Sequence, residues 1–153
     1  MIYPVNGKTI LHVEDDPNDV LLVARAFRKA ESAAAVQVVN DGEQAVDYLS
    51  GAHSFSQREQ FPVPSLVLLD LKLPRKSGIE VLAWIRAQPG LKRIPVVMLT
   101  SSKQAVDINR AYDLGVNAYL VKPVNFDALV GVLKTLDAFW LRANESPTAA
   151  REQ

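Results

Sequence analysis

The stretch SLVLLDLKLPRKSG, residues 65–78, predicts a buried strand that ends in a carboxylate, Asp70. A short apolar run bounded by turn residues is typical of a strand covered on both faces. Three further runs end in polar side chains: TILHV before Glu14–Asp15, IPVVML before Thr100, and AYLV before Lys122. Because helical stretches separate these runs, they predict a parallel sheet, whose carboxyl ends all meet at one edge. The sequence therefore gathers three carboxylates, a hydroxyl and an ammonium at that edge.

The order of the predicted elements gives the fold class. A further strand, VQVVN at residues 36–40, completes a βαβαβαβαβα order in one domain. This order is typical of a flavodoxin-like, doubly wound sheet of five parallel strands, whose topological switch point lies between strands one and three. Asp15 and Asp70 follow those two strands. The fold rule and the polar residues therefore indicate the same place independently.

The residue types at this edge point to phosphoryl chemistry. Three carboxylates in one site raise each other's pKa unless a cation offsets their charge. Oxygen ligands suit Mg²⁺, which binds one or two carboxylates together with waters and phosphate oxygens. A carboxylate can act as a nucleophile toward a phosphoryl group, while a lysine and a threonine hydroxyl stabilise the charge on its oxygens. The site therefore predicts phosphoryl transfer onto an aspartate.

A set of motifs, in the right order, resembles the receiver domain of two-component response regulators. The motifs are VEDD (13–16), LLDLKLP (68–74) with Gly78, MLTSS (98–102) and YLVKP (119–123). The resemblance covers residues 8–141, nearly the whole chain. It implies a phosphoacceptor in a two-component phosphorelay that takes a phosphoryl group from a histidine kinase. Such a protein is a signalling phosphoacceptor and no enzyme beyond its own phosphorylation and dephosphorylation.

The resemblance also implies a role for each site residue. Asp70 is expected to be the phosphoacceptor and a Mg²⁺ ligand, and Asp15 a direct Mg²⁺ ligand. The remaining implied roles are a metal ligand through water for Glu14, a metal-binding backbone carbonyl for Lys72, the switch hydroxyl for Thr100, the phosphate-pairing ammonium for Lys122, and the aromatic that changes rotamer on activation for Tyr119. The Lys122–Pro123 bond is commonly cis in this family. Gly78 is expected to have a positive φ before helix three.

Three features also resemble the single-domain regulators that are paired with bacterial phytochrome histidine kinases. They are the connection Ser50–Pro64, which is long for this position, the loop LPRKSG, and Phe139–Trp140 near the end of helix five. The resemblance implies a sensor histidine kinase as partner, in particular a phytochrome.

Two other functions stay open from the sequence. One is a degenerate receiver that acts as a constitutive binding module, although the acidic pair, Asp70, Thr100 and Lys122 are all present. The other is a phosphatase of the haloacid dehalogenase type, which requires a second acid two residues after its nucleophile. That position is Lys72 here.

Two residues near the site have structural interpretations. Asp16 is expected to be a helix N-cap followed by Pro17, and His12 to be packed rather than reactive.

Composition and charge limit the classes of protein to which this chain can belong. The chain has 153 residues, of which 48% are hydrophobic, and 17 Lys+Arg balance 17 Asp+Glu. This balance gives no basis for binding nucleic acid or a membrane surface. The chain has no cysteine, which excludes a disulfide scaffold and a cysteine-ligated metal. The start MIYPVNGKT lacks an apolar signal core and no apolar run could span a bilayer, so we expect a cytoplasmic protein.

The sequence predicts an N-terminal lead at residues 1–7, a receiver domain at 8–142 and a disordered tail at 143–153. No output domain follows residue 142, so the output is expected to be a phosphorylation-dependent surface formed by helix four, strand five and helix five. Val132, Leu136 and Phe139 widen the apolar stripe of helix five beyond one contact. They predict a homodimer through that surface.

Overall fold

The computed structural model describes residues 8–147 and contains one sheet of five parallel strands. The strand order is β2-β1-β3-β4-β5. The strands are β1 (Thr9–Val13), β2 (Ala35–Val39), β3 (Leu66–Leu69), β4 (Val96–Thr100) and β5 (Ala118–Val121). This is the predicted flavodoxin-like fold, with the switch point between β1 and β3. The predicted lead at 1–7 and residues 148–153 of the predicted tail lie outside the described residues.

One helix follows each strand. The helices are α1 (Pro17–Lys29), α2 (Gly42–Ser50), α3 (Gly78–Ala87), α4 (Ala105–Asp113) and α5 (Phe126–Leu136). Four of these five helices begin with a side-chain cap, since Asp16, Asp41, Ser77 and Asn125 each accept a hydrogen bond from a backbone N–H of the first turn, whereas α4 has none. The predicted N-cap at Asp16 with Pro17 in the first turn is confirmed.

The alternation of side chains along the strands builds two separate cores, one on each face of the sheet. Ile10, Leu68 and Leu99 point to the face covered by α1 and α5. Leu11 and Leu69 point to the other face, which α2 and α3 cover. Both faces of the three central strands are buried, which is why their sequences read as continuous apolar runs.

The long connection between α2 and β3 is held by one arginine and three aromatic rings. Arg58 donates hydrogen bonds to the backbone carbonyls of Tyr48, Leu49 and Phe61, at 2.6, 2.6 and 3.0 Å. The rings of Tyr48, Phe55 and Phe61 pack on one another, with centroids 5.2 to 6.0 Å apart. The segment is therefore an ordered extension of the α2–α3 core, although its sequence is irregular.

The end of α5 corrects one prediction. Leu136 is buried in the core, because it lies three residues after Leu133 and seven after Leu129, on the same helix face. Its assignment to an exposed dimer flank is therefore wrong, whereas Val132 is half-buried and Phe139 is exposed. A π-helical segment, Asp137–Ala143, continues α5 and is tied to Ser32 through Asp137. The described residues continue to 147, and Ser146 accepts a hydrogen bond from Lys8, while the disordered tail at 143–153 stays a prediction.

Candidate functional site

The strand register brings the polar strand ends together. Val13 of β1 is paired with Leu69 of β3, so that Glu14 and Asp70 follow on adjacent strands. The backbone N–H of Asp70 donates to the carbonyl of Val13 at 3.1 Å. Thr100 of β4 is paired with Val121 of β5, and the N–H of Lys122 donates to the carbonyl of Thr100 at 2.8 Å. Four strands thereby position Glu14, Asp15, Asp70, Thr100 and Lys122 at one edge, as predicted.

Three carboxylates form the acidic side of the site. Oxygen atoms of Glu14, Asp15 and Asp70 lie within 4.8 Å of one another. Glu14 and Asp70 are buried, whereas Asp15 is exposed to solvent. The pKa of Glu14 is raised to about 7, mainly by burial and also by the nearby charge of Asp70, while Lys122 opposes the rise. An all-oxygen set of this size and charge fits a hard divalent cation such as Mg²⁺.

Lys122 forms the basic side of the site and contacts three carboxylates. Its Nζ lies 2.7 Å from Glu14 Oε1, 2.8 Å from Asp19 Oδ2 and 3.1 Å from Asp70 Oδ2. Burial alone would lower the pKa of this ammonium. The hydrogen bonds to Asp19 and Glu14 and the charge of Asp70 outweigh burial, so the net shift of the pKa is upward. Lys122 is therefore a permanent cation that faces the proposed phosphoacceptor.

Asp19 is a site residue that the sequence analysis missed. It lies in the first turn of α1, where an acidic residue is ordinarily explained by the helix dipole. The position of Asp19, two residues after Pro17, does not predict a site residue, because only the folded structure brings Asp19 beside Lys122. Its contact with Lys122 could have been anticipated only from the packing of that helix.

The loop that follows β4 bounds an open cavity beside Asp70. The cavity has a volume of about 410 Å³ and is lined by Asp70, Lys72 and the segment 100–104. Thr100 itself is buried, and its Oγ1 is 3.5 Å from the N–H of Ser102. The cavity leaves room for a phosphoryl group and part of its donor next to the carboxylate. Lys72 has an exposed side chain at this cavity, and the metal-binding role of its carbonyl stays a prediction.

Tyr119 is connected to the same loop. It is half-buried in β5, and its hydroxyl donates to the carbonyl of Ser102 at 3.0 Å. Burial raises the pKa of this phenol. Tyr119 therefore links β5 to the residues that follow Thr100, which is compatible with the predicted switch role but does not test it.

Two smaller expectations differ from the structure. Gly78 has no positive φ; its lack of a side chain matters because a Cβ there would collide with the carbonyl oxygen of Asp70. Residues 8–147 contain no cis peptide bond, so the Lys122–Pro123 bond is trans.

His12 is packed in the interior, as expected. Burial lowers its pKa to about 4 and keeps the ring neutral. Its Nδ1 has no hydrogen-bond partner within the described residues.

Comparison with known sequences decides the family. A profile of the response regulator receiver domain matches residues 10–134. The chain belongs to the response regulator receiver domain family. Its place in two-component signalling, inferred above from the motifs, is therefore confirmed, and so is the flavodoxin-like architecture.

Relatives similar to this receiver domain match it over nearly their full length. The response regulator Rcp1 of Synechocystis sp. is 39% identical, and the alignment covers 93% of this chain and 95% of Rcp1. FilR2, a probable methanogenesis regulatory protein of Methanothrix harundinacea, is 40% identical, with 92% and 88% covered. Both relatives are thus comparable in extent to this chain.

Solved structures give the same result. The crystal structure of the phosphorylated cyanobacterial phytochrome response regulator RcpA has a TM-score of 0.85 at 40% identity, and covers 92% of this chain and 99% of RcpA. A Mn²⁺-bound form of Rcp1 has a TM-score of 0.82 at 39% identity, with 92% and 99% covered. Receiver domains with this fold thus bind divalent metal, consistent with the donor set of Glu14, Asp15 and Asp70.

Within residues 8–147, every helix is too short or too polar to span a bilayer.

Proposed function

We propose that Asp70 accepts a phosphoryl group from the phosphohistidine of a sensor kinase. The observation that carries the proposal is the 3.1 Å contact between Asp70 Oδ2 and Lys122 Nζ beside two further carboxylates. A carboxylate oxygen of Asp70 attacks phosphorus, the new O–P bond forms, and the P–N bond to the imidazole breaks. The imidazole nitrogen leaves with the electron pair. No other reactant is required, because the high-energy donor drives the transfer.

The residues around Asp70 would bind the metal ion and stabilise the phosphoryl oxygens. Asp15, Asp70 and the carbonyl of Lys72 would hold Mg²⁺, with Glu14 acting through a water molecule. When bound, Mg²⁺ supplies positive charge that offsets the carboxylates and the phosphoryl oxygens. The Lys122 ammonium, which already lies 3.1 Å from Asp70 Oδ2, would then donate a hydrogen bond to one phosphoryl oxygen. The hydroxyl of Thr100 donates to another after the loop of residues 101–104 moves toward Asp70, and Tyr119 follows that loop through Ser102.

The partner is proposed to be a histidine kinase of the phytochrome class. The relatives Rcp1 and RcpA support this choice, since RcpA is named as a phytochrome response regulator. FilR2, with similar identity, carries a different regulatory name, so the identity of the kinase has to be tested directly. We place the protein in the cytoplasm, where such kinases meet ATP, and assign it no enzymatic activity beyond its own phosphorylation and dephosphorylation.

The output is proposed to be a homodimer through α4, β5 and α5, with no binding to nucleic acid. Exposed apolar side chains on this side support it, namely Val106 and Tyr112 on α4 and Phe139 after α5. Val132 lies half-buried beside them. A two-fold interface would cover these residues on both subunits at once.

The phosphoacceptor is tested by labelling with acetyl phosphate and Mg²⁺. Borohydride trapping and mass spectrometry should locate the label on Asp70, and Asp70→Asn should remove it. Asp127→Asn is the matched control, because the Asp127 side chain is 86% exposed and lies 3.9 Å from Lys29, at the end of α1, rather than against a site residue. Labelling of Asp70→Asn at the wild-type level would refute the assignment. An unlabelled wild type would favour the degenerate receiver, and turnover of a phosphate monoester would favour the phosphatase.

A further inference from the structure

The turn between β2 and α2 contacts both loops of the proposed metal site, although it contributes no residue to the site itself. On one side, Asn40 Nδ2 donates to the carbonyl of Glu14 at 3.3 Å, in the loop after β1. On the other side, Asp41 Oδ2 lies 3.4 Å from Arg75 Nε, in the loop after β3. The turn therefore bridges the two segments that supply the metal ligands.

Arg75 occupies a strained backbone position. Its φ is 70°, and the N–H of Lys76 donates to the carbonyl of Pro74 at 2.8 Å across it. A hydrogen bond between residues i and i+2 around a central residue with positive φ is a γ-turn of the rare, strained kind. A non-glycine residue stays in this conformation only when its surroundings hold it there.

Contacts with the start of α2 supply that constraint. Arg75 is paired with Asp41 and, at 3.9 Å, with Glu43. The N–H of Gly42 lies 3.5 Å from the carbonyl of Pro74. A Cβ on Gly42 would collide with the carbonyl oxygen of Lys76, so the two backbones touch. Asp41 also caps α2, with its other oxygen 2.8 Å from the N–H of Gln44, and its carboxylate is therefore fixed in place.

The base of the same loop is closed as well. The N–H of Gly78 donates to the carbonyl of Leu71 at 2.8 Å, and Asp70 Oδ1 accepts from the N–H of Leu71 at 2.7 Å. Lys72 lies between this base and the γ-turn. Because both ends of the short segment are fixed, the direction of the Lys72 carbonyl depends on where the tip at Arg75 is held.

We infer that Arg75, held by Asp41, is a positioning residue that fixes the loop after β3 so that the Lys72 carbonyl meets the metal-binding carboxylates. The turn Asn40–Asp41 would then set the distance between the two metal-binding loops. The inference rests on the proposed metal site, in which Lys72 contributes a backbone oxygen. It assigns a purpose to a strained turn and an exposed ion pair that the phosphoryl chemistry does not otherwise use.

Whether loss of Arg75 strengthens or weakens Mg²⁺ binding distinguishes a positioning role from a purely electrostatic effect. Arg75 is a cation near a cation site, so its loss should tighten Mg²⁺ binding if only charge matters. If Arg75 positions the Lys72 carbonyl, its loss should weaken Mg²⁺ binding instead. Arg75→Asn is the suitable variant, because asparagine tolerates positive φ but cannot pair with Asp41. Asp41→Ser is its complement, since serine still caps α2 but carries no charge.

The experiment is a calorimetric Mg²⁺ titration of the full chain. Arg75→Asn and Asp41→Ser should each weaken binding roughly tenfold, the lower end for residues that orient a metal ligand. The double variant should be no weaker than the single variants, because both remove one shared contact. Arg93→Asn, at an exposed arginine in the connection between α3 and β4, is the charge-matched control and should bind like wild type. Amide exchange across residues 71–78 should quicken in Arg75→Asn, with an unchanged unfolding midpoint.

Arg75→Asn carries the decision, because loss of the Asp41 carboxylate would weaken Mg²⁺ binding through charge alone. Unchanged or tighter binding by Arg75→Asn would overturn the inference, and so would equal weakening by Arg93→Asn. Fully additive losses in the double variant would overturn the shared contact. If wild type bound no Mg²⁺, or Asp15→Ala bound it as tightly as wild type, the proposed metal site itself would be wrong. Failure of the inference and failure of the proposed function are thus distinguishable.

Discussion

Lys122 and Asp19 are 2.8 Å apart, whereas Lys122 and Asp70 are 3.1 Å apart. The ammonium that should stabilise the phosphoryl group is therefore shared with a carboxylate of α1 as well as with Glu14. A ligand shifts an equilibrium only through its different affinity for the two states. Phosphorylation must thus draw Lys122 toward the phosphoryl oxygens against the attraction of Asp19.

Asp19→Asn should bind a phosphoryl analogue more tightly than wild type. The substitution removes a competing charge, and a partly buried ion pair of about 1 kcal/mol corresponds to roughly fivefold in affinity. Titration with beryllofluoride and Mg²⁺, followed by NMR, measures the effect. Asp127→Asn removes an exposed carboxylate at a distance and should leave the affinity unchanged. Weaker binding by Asp19→Asn would contradict the competition.

Lys122→Ala should make the stability of the protein strongly dependent on Mg²⁺. The variant leaves Glu14 and Asp70 without their common cation, and breaking a buried pair costs about 3 kcal/mol. Protonation of Glu14, whose pKa is already raised to about 7, limits that cost. Bound Mg²⁺ replaces the missing positive charge, so saturating Mg²⁺ should raise the free energy of unfolding more in the variant than in wild type. Urea titrations with Mg²⁺ and with a chelator measure this, and an equal gain in both proteins would contradict it.

The same variant also tests the switch. Lys122→Ala should still accept some phosphoryl group on Asp70, because the nucleophile is intact. It should lose the coupling to β5, since no ammonium joins the phosphoryl oxygens to that strand. Amide shifts in α4 and β5 on phosphorylation should therefore shrink. Shifts of wild-type size would show that the coupling runs through Thr100 and Tyr119 alone.

Gly78→Ala should destabilise the site although it adds only a methyl group. The new Cβ would collide with the carbonyl oxygen of Asp70, and backbone cannot yield as a flexible side chain can. We expect a loss of about 2 kcal/mol or more in the free energy of unfolding. Gly131→Ala is the matched control in α5, where a Cβ meets no atom within 4 Å. It should stabilise the protein by about 0.5–1 kcal/mol, as alanine does relative to glycine in a helix interior.

The polar site residues at the strand ends were predictable from sequence, because each of them directly follows an apolar run. Asp70, Thr100 and Lys122 therefore lie at one edge of the sheet for reasons of local pattern and parallel pairing. Asp19 was not predictable in this way, because its contact depends on how α1 packs beside β5. Local pattern places a residue on an element, and packing between elements decides what that residue touches.

The errors have different origins, one in the choice of helix face and one in a backbone contact. Leu136 was assigned to an exposed flank by its angle on an ideal helix, but the heptad spacing from Leu129 places it on the buried face. Gly78 was expected to need a positive φ, whereas a close approach of the Asp70 carbonyl is what requires glycine. Arg58 had no signal in the sequence at all, because its partners are backbone carbonyls, which any residue type supplies, at the end of α2 and in its own loop.

Phe139→Glu should produce a folded monomer if the proposed dimer is correct. Phe139 is 52% exposed and packs edge-on against Trp140, with ring centroids 4.9 Å apart. Its exposed apolar area costs roughly 25 cal/mol per Å² in water, which a two-fold contact would recover on both subunits. Because the residue is exposed without phosphorylation, wild type should associate at roughly tens of micromolar, typical of a weak dimer, and phosphorylation should tighten the association.

Leu21→Glu is the control for that substitution, because Leu21 is 53% exposed and lies on α1, outside the proposed interface. It introduces the same charge at the same exposure and should leave the association unchanged. Sedimentation velocity of the three proteins, with and without beryllofluoride, measures the result. Wild type that stays monomeric in both conditions would refute the dimer and would leave Phe139 as a contact for another protein. Equal loss of association in both variants would mean that the interface includes α1, which is incompatible with a contact made by α4, β5 and α5 alone.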